Sequence, residues 1–336
     1  MKKWGILWAF TVSVLLGIGQ SVPSKNTSQT TVHFRTQGSY FQVASGDSVR
    51  SWHNLLLKGV NLGVALPGKF PGQFGASPGQ YRRWLDQIGA MNANVVRVYT
   101  ILPPAFYRAL WQYNQDSPQR PLYLLQGVWA EAPENKDLYE ARFSESFRRE
   151  IRQAVDAVHG AAQLTPAPGK ASGAYRHDVS PYLIGIILGR EWEPDVVHRT
   201  NQKHPSRPFR GRYFSVNQGH ATEVWLGQML DYTAQYLQQM HGHQVPLSFV
   251  NWLPLDPMYH STEFIENDRI REYDNDLESL DFLNLHAHPN WQAGLFASWH
   301  AYPYYPDFIF LNPRYQNDTA GHDHYRAYLQ ELKNRH

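Results

Sequence analysis

Apolar residues recur along this chain in two rhythms. Short continuous runs read as strands buried on both faces: NLLLKGVNLG (54–63), ANVVRVYT (93–100), PLYLLQGVW (121–129), YLIGIILGREWEP (182–194), VPLSFVNW (245–252) and GLFASWHAYP (294–303). Between them the spacing becomes helical. Ser77-Pro78 supplies a cap followed by Pro at the first helical position, and Tyr81, Trp84, Leu85, Ile88 and Met91 then share one face. Phe106, Leu110 and Trp111 mark a second helix, and Phe147, Ile151, Ala154 and Val155 a third from about Ser144 to Val158. Thr222 to Met240 gives a long helix, and Tyr325, Tyr328, Leu329 and Leu332 the last. Ahead of all this, VHFRTQGSYFQVASGDSV (32–49) reads as a hairpin turning at TQGS. The run LDFLNLHAHP (280–289) fits an additional strand, and the pattern leaves that open.

Strand alternating with helix implies a parallel sheet covered by helices. The loop GVNLGVALPGKF lacks the phosphate-binding turn of a doubly wound nucleotide fold. Polar and aromatic residues instead follow strand upon strand: Asn61, Arg97 and Tyr99, Trp129, Glu191, Asn251 and Trp252, His300 and Tyr302. Such a distribution suits the C-terminal mouth of a TIM (β/α)8-type barrel. The expected fold class is therefore α/β, an incomplete barrel of about six strand–helix units preceded by a short β-hairpin.

The termini and composition narrow the setting. Lys2 and Lys3 precede an apolar stretch from Trp4 to Gly19, so residues 1–20 read as a signal peptide, with an N-terminal anchor as the alternative. Residues 21–31 read as a polar tether, and residues 32–336 as the barrel. An exported location follows: extracellular, periplasmic or cell envelope. There is no cysteine, so neither disulfides nor a lipidated Cys contribute. The formal charge of +2 gives no basic face for nucleic acid, and no second apolar span follows the first. Aromatics make up 14%, many beside Pro, Gly or Asn, where they suit either stacking on sugar rings or ordinary core packing. Trp129, Trp252, Trp299, Tyr304 and Tyr305 are the candidates for a stacking cleft.

The fourth run ends in Glu191, with Arg190 and Trp192 beside it. A carboxylate at a strand end, shielded by Trp192 and other aromatics, would have a raised pKa suited to a general acid. The competing reading is an ion pair with Arg190 that merely closes the strand. Glu193, directly before Pro194, reads as a loop or helix-start residue. His286-x-His288 and His322-x-His324 have metal-compatible spacing, but no third ligand stands out, so no metal is expected.

These strand-end residues, in this order, resemble the clan A retaining glycoside hydrolases, nearest to the barrel domain of the β-galactosidase and β-glucuronidase type. LLLKGVNLG resembles that group's first strand, and Arg97 matches its second-strand arginine, which helps position the nucleophile. GREWEP resembles the fourth-strand Asn-Glu-Pro, placing Glu191 on the acid/base. SWHAYP resembles the sixth strand, where His300 or Tyr302 would approach the nucleophile.

The resemblance implies an exported, cofactor-free carbohydrate-active protein acting on an oligo- or polysaccharide. Glu191 would be catalytic, and Arg97, Arg190, Asn251, Trp252, His300, Tyr302, Asn61 and Trp129 would bind substrate. Two departures stand out. Arg190 replaces the family's Asn and cannot accept a hydrogen bond. The seventh-strand Glu nucleophile has no counterpart, with Asp307 and Glu266 as loop-placed substitutes, so a truncated barrel without efficient glycosidase activity is expected. The alternative reading is a non-catalytic carbohydrate-binding barrel belonging to a cell-envelope polysaccharide system.

Overall fold

The computed structural model describes residues 30–45, 51–260, 278–306, 308–316 and 323–336. The expected signal segment, most of the tether, Glu266 and Asp307 lie outside the described residues. The centre is a parallel sheet of five strands lying side by side in chain order. These are Gly59–Leu62, Val95–Val98, Tyr123–Val128, Leu183–Leu188 and Leu247–Phe249. The fourth strand sits within the sheet and every residue of LIGIIL is buried. Burying one such side chain stabilises by roughly 1.5–3 kcal/mol, which is why a six-residue run without a polar position is held there. Beyond the fifth strand, Asn251–Trp252 pairs in parallel with Trp299–His300, and Leu247 bridges Leu295. A sixth strand thus continues the order.

Helices cover the sheet as the periodicity predicts. Pro78–Ala90 starts at Ser77, whose hydroxyl accepts from the Gln80 amide while the Gln80 side chain returns to the Ser77 amide. Ala141–Val158 begins a turn earlier than the spacing predicts and buries Phe143, Phe147, Ile151, Ala154 and Val155. Ala221–Tyr236 passes into a π-helical turn at Leu237–His241. Pro194–Lys203 covers the step after the fourth strand, with Glu193 at its N-cap position.

Several expectations are corrected. The run NLLLKGVNLG is not one buried strand. Ser51–Leu55 joins Phe34–Gln37 and Tyr40–Ser45 in a three-stranded antiparallel sheet, so the expected hairpin has a third strand. Gly59–Leu62 is half-exposed, because its outer edge has no partner strand among the described residues. The strand that the pattern left open is present at Leu285–Ala287, antiparallel to Phe214–Val216 in a separate small sheet. The tether ends before Thr31, since Thr31–Val32 pairs with His243–Gln244. No closed barrel is seen among the described residues. The small N-terminal sheet packs Phe34, Phe41 and Val43 against Val95 and Ile184 of the central one. No described helix is long and apolar enough to cross a membrane.

Candidate functional site

Parallel strands bring their C-terminal ends to one edge, and there four segments meet. Glu191 follows the fourth strand after Gly189, which has φ +89°. A Cβ at Gly189 would lie 2.4 Å from the Trp192 ring, so only glycine lets the chain bend this tightly over that indole. The bend sends neighbouring side chains opposite ways. Trp192 is fully buried against Phe147 and Trp225, whereas the Glu191 side chain is 31% exposed. The expectation that Trp192 shields Glu191 is therefore corrected: it packs in the helix-side core.

Glu191 Oε1 accepts from His300 Nδ1 at 2.7 Å and also from the Tyr302 hydroxyl. His300 Nε2 meets Arg97 Nη2 at 2.6 Å. A guanidinium only donates, so Nε2 must accept and the ring proton sits on Nδ1, aimed at Glu191. Arg97, His300, Glu191 and Tyr302 thereby form one hydrogen-bonded chain across the second, fourth and sixth strand ends. Tyr99 flanks it, with the Arg97 guanidinium 4.9 Å from its ring centre and His300 edge-on at 6.0 Å.

The electrostatics reverse the expected shift of Glu191. Burial pushes its pKa up, but hydrogen bonds from His300 and Tyr302 and the nearby charge of Arg190 more than offset this, leaving it below the usual carboxylate value. Burial and the Glu191 carboxylate raise the Tyr302 phenol, which stays protonated and donating. Burial lowers Arg97, against the opposing pull of Tyr99, Tyr302 and Glu191, and its Nε has no hydrogen-bond partner.

The remaining candidates divide. Arg190 pairs with Glu193, not with Glu191, and lies 5.7 Å from the ring centre of half-exposed Trp129. Trp252 donates from Nε1 to the Trp192 carbonyl at 2.8 Å and stacks on Tyr305 at 6.2 Å. Those two aromatic faces, Trp129 and the Trp252–Tyr305 pair, belong to the same rim. Asn251 does not serve a ligand: it is fully buried, its amide donates to the Leu280 carbonyl and its oxygen accepts from the Trp252 amide. Asn61 lies in register beside Arg97 but is exposed, and no hydrogen bond joins it to the Glu191 group. Trp299 points to the opposite face from His300, as strand alternation requires, and lines an apolar groove with Phe41, Phe296 and Leu329.

Among the described residues no three His, Asp or Glu side chains converge as a metal site. His286 lies exposed on its strand and His288 contacts the Arg212 carbonyl. Sequence reasoning missed the Arg97–His300 contact, which joins residues 203 positions apart. Only the placement of both at strand ends hinted at it. No family model, curated protein or solved structure matches this chain.

Proposed function

We propose that this is an exported carbohydrate-active protein of the glycoside hydrolase type, built on a partial (β/α) barrel, with Glu191 as its working carboxylate. The observation that supports it most is the convergence of Arg97, His300 and Tyr302 on Glu191 at the C-terminal edge of parallel strands. Trp129 on one side and the Trp252–Tyr305 pair on the other offer flat apolar faces for sugar rings.

In the free protein Glu191 is a carboxylate. A sugar whose hydroxyl took over the Tyr302 hydroxyl would strip one donor from Oε1. Burial then acts with less opposition, and the carboxyl pKa rises toward that of a proton donor. Protonated Glu191 could pass its proton to a departing glycosidic oxygen. Retaining chemistry also needs a second carboxylate about 5–5.5 Å away. Glu193 is ion-paired to Arg190 and is not free for that role.

That last point favours a second reading, a non-catalytic carbohydrate-binding protein of a cell-envelope polysaccharide system. Both readings use the same rim. The test compares the unaltered chain with Glu191→Gln, measuring turnover on aryl β-glycosides and affinity for β-linked oligosaccharides by calorimetry. Lost turnover with retained affinity supports the enzyme. Affinity without turnover in both proteins supports the binding protein. No affinity for any saccharide, in either protein, refutes both.

A further inference from the structure

Away from the Glu191 site, four imidazoles meet where the N-terminal strand joins the body. His159 ends the third helix, His241 closes the π-helical turn, His243 lies in the strand that pairs with Thr31–Val32, and His33 follows that strand. His159 and His241 stack at 3.9 Å with an angle of 16°. His159 Nδ1 donates to the Val155 carbonyl at 2.7 Å, so its Nε2 accepts from His243 Nδ1 at 3.0 Å. That fixes His243 Nε2 as an unprotonated nitrogen, buried and without a hydrogen-bond partner. His33 lies edge-on to His243 at 5.7 Å.

The geometry holds only while the inner rings are neutral. A proton on His159 Nε2 would face the Nδ1–H of His243, and a proton on His243 Nε2 would be a buried charge with no acceptor. A His159 cation would also lie against the stacked His241 ring, and a His243 cation against the edge-on rings of His159 and His33. The charged groups that face the cluster are Asp156, which pairs with His241 Nε2 at 2.9 Å and accepts from Tyr236, together with Asp178 near His159 and Arg152 near Tyr236. The aspartates favour protonation of His159. Burial and the neighbouring His241 outweigh them and hold His159 down to about 4, and burial with the adjacent rings lowers His243 as well.

We propose that these imidazoles form an acid-opened latch: protonation of His159 and His243 together parts the strand Thr31–Val32 from His243–Gln244. The strand is held by its parallel pairing with His243–Gln244, by Thr31 N–H donating to the Gly242 carbonyl at 2.8 Å, by the Gln238 amide donating to the Thr30 hydroxyl at 3.0 Å, and by buried Val32. Once it lifts, His243 gains water and an ordinary affinity for protons. Protons therefore bind the open form more tightly, and opening is favoured as pH falls from the free imidazole value of roughly 6.5.

The test is amide hydrogen exchange of the full chain between about pH 7.5 and 4.5, corrected for intrinsic exchange chemistry. The opening constant at Thr31 should rise about tenfold per pH unit for each proton taken up below roughly pH 6.5, while Leu183–Leu188 stays protected. His159→Gln should flatten that slope, and His286→Gln, an exposed side chain on a strand elsewhere, should leave it unchanged. Equal pH dependence at Thr31 and in the central sheet overturns the latch, as does an unaltered slope in His159→Gln. Imidazole proton resonances of the unsubstituted chain decide independently of any variant's folding. Titration of His159 and His243 near pH 6.5 with Thr31 still protected would refute it.

Discussion

Arg97 donates to His300 across 2.6 Å, and this contact decides which His300 nitrogen faces Glu191. An arginine on the second strand thus sets the proton position on a ring of the sixth strand, and the ring in turn sets the charge of an acid after the fourth. Removing either donor from Glu191 should raise its pKa. We expect the Glu191 carboxyl to titrate higher in His300→Ala, and also in Tyr302→Phe, than in the unsubstituted protein. Carboxyl carbon shifts followed against pH would measure it, and an unmoved titration would contradict the assigned hydrogen bonds.

The same pair predicts a pH effect on the rim. The folded Glu191 pKa lies below its unfolded value, so its contribution to stability is fully present above about pH 4.5 and fades as pH falls through the depressed value. Acid unfolding of Glu191→Gln should accordingly show a shallower pH dependence in this window. Identical slopes in denaturant titrations at successive pH values would argue against it.

Gly189→Ala should be costly. Its φ of +89° and the 2.4 Å approach to Trp192 add backbone strain to a steric clash, and we expect a loss of about 2–4 kcal/mol in urea unfolding. A loss below about 0.5 kcal/mol would mean that the bend tolerates a side chain.

Asp281 ties the last helix to the body through Arg335 and His336. Burial opposes its charge, but His336, the Leu283 amide and Arg335 hold its pKa down to about 2. The stabilisation is present above the unfolded value of about 3.8 and is lost as pH falls toward 2. Asp281→Asn should loosen the C-terminal helix at neutral pH, seen as faster amide exchange between His324 and Arg335, with little further change on acidification.

Trp129→Ala tests the proposed sugar platform. Losing one aromatic face should weaken oligosaccharide binding roughly two- to twelvefold, from about 0.5–1.5 kcal/mol of ring interaction, with thermal stability nearly unchanged because Trp129 is 40% exposed. Equal affinity would remove Trp129 from the binding surface.

What could be read in advance was local. The Ser77 cap, the helical stripe through Tyr81, Leu85 and Ile88, and the apolar run of the fourth strand each depend on neighbours in sequence. The split of NLLLKGVNLG between two sheets was not legible, since three consecutive leucines fit either pairing. Glu191 was singled out by its place at a strand end. The direction of its pKa shift was hidden, because the donors that set it arrive from more than a hundred residues away. Asn251 looked like a ligand contact by residue type and position, yet the backbone of Leu280 and Trp252 consumes its amide.

Glu191 and Trp192 are consecutive residues, one facing water and the other wedged between Phe147 and Trp225. The rim carboxylate and the interior volume therefore share a single peptide unit. A substitution that shrinks or swells the hydrophobic layer behind that indole should tug the carboxylate off its donors, so the hydrogen bonding of the rim can be tuned by an engineer who never touches it.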